Sequence, residues 1–155
     1  FDSKEAVYAE LLGQSLATLN ADIATAIHQI DTPVQRLKAS AMAFFNYYRN
    51  NPGDLDLGFY LFRGGMKPKG LGRVRDSELN RQLQSSLQPI TDAALAMGVS
   101  AVRASEITAS VFAYATGLLL LAHTGRIRIF NANAEQMMAS FSDTLTTRIE
   151  GEIPC

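Results

Sequence analysis

Few residues in this chain have the types and spacing that catalysis needs. There is no HExxH or ExxH pair, no glycine-rich phosphate loop opening after a strand, and no cysteine placed as a nucleophile. The one cysteine, Cys155, is the last residue. It excludes an intrachain disulfide framework and a cysteine-based zinc site, and it fits a reducing, cytoplasmic setting. His28 falls near the end of a helical pattern, where the helix dipole favours positive charge. Asp92 and Glu106 are single carboxylates with no evident partner, whereas a hydrolase needs a positioned pair or triad. The chain is therefore expected not to be an enzyme, and to hold no metal or cofactor.

Binding suits the residue types better, because ligand sites are lined by apolar and aromatic side chains with a few polar groups among them. Phe44, Phe45, Tyr47, Tyr48, Phe59, Tyr60 and Phe62 place seven of the thirteen Phe and Tyr residues within nineteen positions. The candidate ligand-binding residues are Phe44, Phe45, Tyr48, Phe59 and Phe62, with Leu83, Phe112, Thr116 and His123 from later in the chain. Plain core is the competing explanation for each, since an aromatic stripe at helical spacing is also what helix packing requires.

The elements that must position these residues are helical throughout. Tyr8, Leu12, Leu16, Leu19, Ile23, Ala26 and Ile30 repeat at three and four, giving a first helix from about Ser3 to Ile30 with Ser3 as cap and Glu5 in the first turn. Thr32-Pro33-Val34-Gln35 is a second start, with a capping residue, proline at the first helical position and Gln35 to complete a capping box. Asn51-Pro52-Gly53-Asp54 opens a short third helix to about Arg63. The segment from Gly64 to Arg75 has four glycines, a proline and four positive charges without an acid, and reads as a surface loop, with contact to DNA or an anionic ligand as the sharper alternative. Asp76 is the expected cap of a fourth helix bearing Leu79, Leu83, Leu87, Ile90, Ala94 and Met97, bent at Pro89 and ended by Gly98. Arg126 to Phe130 alternates as a strand does but has no second strand to pair with, so an extended connector is expected. Asn133 starts the last helix, with Ala134, Met138, Phe141, Leu145 and Ile149 on one face.

Between these lies Ile107 to His123, ITASVFAYATGLLLLAH, capped at Ser100 and ended by Gly125. It carries no charged residue apart from His123, yet by itself it lacks the length and flanks of a membrane span. It divides into one side with Ile107, Val111, Tyr114, Leu118 and Leu121, another with Thr108, Phe112, Thr116, Leu119 and His123, and a third of small residues. A helix apolar all round is buried in a core or shared with a second subunit. In 155 residues, which form one domain by size, sharing is attractive. Ser110, Ala113, Gly117, Leu120 and Thr124 on this helix, with Met137, Ser140 and Thr144 on the last, are the candidate dimer contacts.

The composition is that of a folded soluble domain, 47% hydrophobic and 19% charged with a net charge of −1. That balance gives no global electrostatic reason to bind nucleic acid or membrane. Phe1-Asp2-Ser3-Lys4-Glu5-Ala6-Val7-Tyr8, however, resembles the junction F-x-[SN]-K-[ED]-x-[LV]-[YL] of TetR-family regulators. Asn50 to Pro52 and Ala122-His123-Thr124-Gly125-Arg126 are similar to one C-terminal subgroup of that family, so the resemblance spans nearly the whole chain. It implies an all-α, six-helix ligand-binding and dimerisation domain over 1–155, with 1–5 the remnant of a junction to a helix-turn-helix domain before Phe1. It implies a homodimer joined through a four-helix bundle of the last two helices, operator DNA bound through the preceding domain, a phosphate contact at Lys4, and a repressor released by a small, largely apolar effector. A stand-alone helical ligand-binding or scaffold protein that never touches DNA is the alternative.

Overall fold

The structure, a computed structural model, describes residues 3–59 and 73–154. Six α-helices run through the described residues: α1 (Lys4–Ile27), α2 (Pro33–Asn50), α3 (Pro52–Phe59), α4 (Arg73–Met97), α5 (Ala101–His123) and α6 (Ala134–Glu152). The chain is all-α in these segments. Tyr60, Phe62, most of the glycine-rich basic segment and Cys155 lie outside them.

Local chemistry sets the helix starts. The Ser3 hydroxyl accepts from Ala6 N at 3.1 Å, Thr32 from Gln35 N at 3.4 Å, Ser100 from Arg103 N at 3.2 Å and the Asn133 side chain from Gln136 N at 3.0 Å. Each satisfies an amide that the first helical turn leaves without a partner. Gly98 (φ 107°) follows α4, and Gly125 (φ 73°) follows α5. Both are left-handed backbone positions where a Cβ is strained.

Several boundaries differ from the sequence expectation. α1 stops at Ile27 rather than Ile30, with His28 N bonded to Thr25 O in a tighter final turn. α4 is already helical at Arg73, so Asp76 lies inside its first turn, where its charge suits the dipole, rather than capping it. Arg126 to Phe130 is not extended but a 3-10 turn. Left-handed residues at both ends, Gly125 and Asn131 (φ 50°), wind the five residues between them, and alternation alone cannot report that.

α2 is the central element and packs on every other helix, with α4 beside it. α1 and α3 cover one side of this pair, and α5 and α6 the other. The core is built from Leu16, Leu19 and Ile23 of α1, Leu37, Ala41, Phe44 and Phe45 of α2, Ile90 and Ala94 of α4, Ile107, Val111 and Leu119 of α5, and Met138 and Ile149 of α6. Burying a side chain of this kind contributes about 1.5 to 3 kcal/mol.

α5 departs from the expectation of burial on all sides. Its core edge is Ala104, Ile107, Val111, Ala115, Leu118 and Leu119, and the rest is half-buried or open. As a whole helix of 23 residues it is long and apolar enough to cross a membrane by length and composition alone, with only a third of its most apolar stretch buried. Arg103 and Glu106 in its first turns, and its packing on α2, α4 and α6, fit a core helix with one face uncovered.

Candidate functional site

Two regions hold the residues singled out in the sequence. The first is the outer face of α5 and α6. Ser110, Ala113, Gly117, Leu120 and Thr124 recur at spacings of three and four on α5 and are all exposed. Polar members of the strip turn their hydroxyls inward to their own helix: Ser110 donates to Glu106 O at 2.8 Å and Thr124 to Leu120 O at 2.8 Å. That leaves an outer surface of methyl and methylene groups with few free donors. A Cβ added at Gly117 would meet nothing within 4 Å, so the glycine answers no packing need inside the protomer.

Beside this strip, α5 and α6 are joined by Tyr114 and Phe141, whose rings stack at 4.0 Å with 7° between their planes. An open groove of about 550 Å³ runs along them, lined by Asn131, Asn133, Gln136, Met137, Ser140 and Thr144 in addition to the two rings. The three dimer candidates on α6 (Met137, Ser140 and Thr144) therefore lie together in one groove. Arg103 of α5 ties the far ends of the two helices, donating to Glu152 at 2.9 and 2.7 Å. Those donors hold the Glu152 carboxyl below the usual carboxylate range, so the tie persists at mildly acid pH and is lost as pH falls through that lowered value.

The second region is aromatic. Phe44 is buried, with its ring edge-on to Tyr48 at 5.2 Å and to Phe112 at 5.9 Å. Phe45 is wholly buried, Leu83, Phe59, Phe112 and Thr116 are half-buried, and His123 is exposed. His123 Nε2 lies 3.4 Å from Asp56 Oδ1 of α3. Of the nine candidate ligand residues, eight are thus placed around α2, α3, α4 and α5, and Phe62 lies outside the described residues. They form neither the α5–α6 groove nor a second concave surface of about 570 Å³ at the end of α1, which Ala24, Thr25, Ala26, His28, Gln29 and Ile30 line. Lys4 is exposed in the first turn of α1.

Two features escaped sequence reasoning. One is a polar cluster under α3: Ser15 Oγ donates to Asp54 Oδ2 at 2.9 Å, the Tyr47 hydroxyl donates to the same oxygen, and that hydroxyl lies 3.1 Å from the Ser15 carbonyl. Its members come from three helices, and no local spacing signals their meeting. The other is the 3-10 turn, which leaves Ile129 and Phe130 75% and 72% exposed. Two large apolar residues held between two turn residues, Gly125 and Asn131, were the available signal.

Among the described residues no group of three or more His, Cys, Asp or Glu could hold a metal ion. Comparison with protein-family models, with curated proteins and with solved structures finds no match for this chain.

Proposed function

We propose that this chain is the effector-binding and dimerisation domain of a TetR-like transcriptional regulator, and that it acts as a homodimer. The observation that carries the reading is the outer face of α5. The most apolar of the described helices leaves a strip of small residues uncovered, beside a groove on α6. Two neighbouring helices about 30 Å long and about 10 Å wide present a face on the order of 600 Å² in projection. Accessible area exceeds projected area on a corrugated surface, and a standard interface takes about 800 Å² from each partner. The face is thus of the size a stable dimer needs. Small side chains let two backbones approach closely, and a two-fold contact sets one such strip against its copy.

On this reading a small apolar effector is bound among Phe44, Tyr48, Phe59, Phe112 and Thr116, with His123 and Asp56 as polar partners at its edge. α3 is the element through which the effector acts, because Asp56 links it to α5 and Asp54 links it to α1 and α2. α1 then carries the change toward a preceding DNA-binding domain. An effector that favours one arrangement by about 1 to 3 kcal/mol changes operator affinity roughly 5- to 150-fold.

Two measurements test the reading. Sedimentation equilibrium is expected to give twice the chain mass, and the gene upstream of Phe1 is expected to encode a helix-turn-helix. A monomer at every concentration, or an upstream sequence without that motif, sinks the regulator reading. A dimer without an upstream helix-turn-helix favours the stand-alone binding protein.

A further inference from the structure

The turn from Arg126 to Phe130 is built to hold two apolar side chains away from its own protomer. Its ends are fixed by left-handed Gly125 and Asn131, and its interior by Arg128 N to Gly125 O at 3.3 Å and Asn131 N to Arg128 O at 3.0 Å. Ile129 and Phe130 project from it, while Ile127 is the one residue of the turn that is buried. Asn131, the next residue, already lines the α5–α6 groove. Phe130 is thus adjacent in sequence to a residue of the groove, is exposed, and is not one of the residues that line it.

We propose that this turn is a dimer arm, with Phe130 of each protomer seated in the α5–α6 groove of a second copy, against Tyr114, Met137 and Phe141. The inference rests on the dimer reading above and names the contact that fixes its register. Asn131 ends the arm and lines the groove, so the two adjoin, and a two-fold contact lets each copy give what it receives. The groove offers what a Phe ring prefers, an aromatic pair and a polarizable thioether. Charge points to the same occupant. From Ile107 to Ala134 the chain has no acid, and Arg126 and Arg128 have no ion-pair partner among the described residues. α6 carries Glu135, Asp143, Glu150 and Glu152; Arg49, Lys38 and Arg103 of its own protomer hold three of these, which leaves Glu150 as the acid of α6 that a second copy brings to the basic arm.

The test compares Phe130→Ser with the native chain by sedimentation equilibrium over a range of concentrations. Because Phe130 is exposed in the protomer, the variant is expected to keep its helical circular dichroism while the dimer dissociation constant rises at least tenfold. Ser140→Arg, which fills the groove from the other side, is expected to do the same. A mixture of Phe130→Cys chains with Ser140→Cys chains, both carrying Cys155→Ser, is expected to yield a disulfide-linked species of twice the chain mass. Undiminished dimerisation of Phe130→Ser, alongside dissociation of Gly117→Leu, overturns the arm and leaves the helical interface standing. A native chain that is monomeric throughout overturns both. If the native chain instead binds phosphatidylserine vesicles as a monomer and Phe130→Ser does not, the arm belongs to a lipid surface and the proposal fails.

Discussion

Asp54 receives two hydroxyl donors, from Ser15 and Tyr47, and so ties α3 to α1 and α2 through one carboxylate. Hydrogen bonds to a charged group contribute about 1.5 to 3 kcal/mol each. Asp54→Ala is expected to lower unfolding free energy in urea by an amount in that range, because the Ser15 hydroxyl loses this acceptor in a partly buried site while the Tyr47 hydroxyl keeps the Ser15 carbonyl. Nearby, burial pushes the Tyr48 hydroxyl well above the ordinary tyrosine pKa near 10, with Tyr47 and Asp54 adding to the shift. Burial also raises Tyr47, helped by its bond to Asp54 and opposed by Ser15. A pKa raised in the folded state means a stabilisation that is complete below pH 10 and lost as pH climbs through the raised value. Stability measured in urea is therefore expected to fall between about pH 10 and pH 12, and Tyr48→Phe is expected to flatten that slope while changing little at pH 8. An unaltered slope in the variant would assign the alkaline loss to other groups.

Among the elements, the starts of α1, α2, α5 and α6 were legible, whereas the start of α4 and the contacts between helices were not. Ser3, Thr32, Ser100 and Asn133 announce their caps because a side-chain oxygen meets an amide three residues on, wholly within local sequence. The aromatic stripe of α2 was legible for a similar reason, since Phe44, Phe45 and Tyr48 follow the helical period. The meeting of Ser15 with Asp54 depends on how α1 and α3 cross, thirty-nine residues apart, and sequence spacing carries no such information. The turn after α5 misled for another reason. Alternating Arg and Ile satisfies a strand pattern, but the flanking backbone angles decide the outcome. At Gly125 any side chain must be held at φ 73°, and a left-handed conformation costs about 1 to 2 kcal/mol for an L-residue. Gly125→Ala is expected to lose about that much stability in a thermal or urea melt, although no atom lies within 4 Å of the added methyl. A neutral result would mean that the turn rewinds into another conformation.

For the whole molecule, the decisive property is an imbalance between its two sides. α2 and α4 are covered by α1 and α3 on one side, while α5 and α6 cover the other and α5 alone keeps an apolar outer strip. Surplus apolar character on α5 could be read from composition, but which edge is uncovered followed only from the packing. Gly117 gives the cleanest probe of that face. A leucine there is a better helix former than glycine, by about 0.8 kcal/mol, and its Cβ enters open space. Gly117→Leu is accordingly expected to preserve or raise the stability of the single chain while shifting sedimentation mass toward the monomer. A variant that stays dimeric at native affinity would move the interface off this strip.

The two left-handed residues around the 3-10 turn also leave a mark that outlasts overall similarity. Gly125 and Asn131 stand six positions apart, and at each the backbone admits glycine or asparagine far more readily than any other residue. Mutation can exchange Arg126 for lysine, or Ile129 for another aliphatic residue, without moving the backbone, whereas those two positions resist drift. Distant relatives are therefore expected to be recognised by glycine, five residues ending in a bulky apolar side chain, then asparagine or glycine, at the close of an apolar helix. Aligning diverged chains on that short punctuation, rather than on full-length identity, is the search that this turn makes possible.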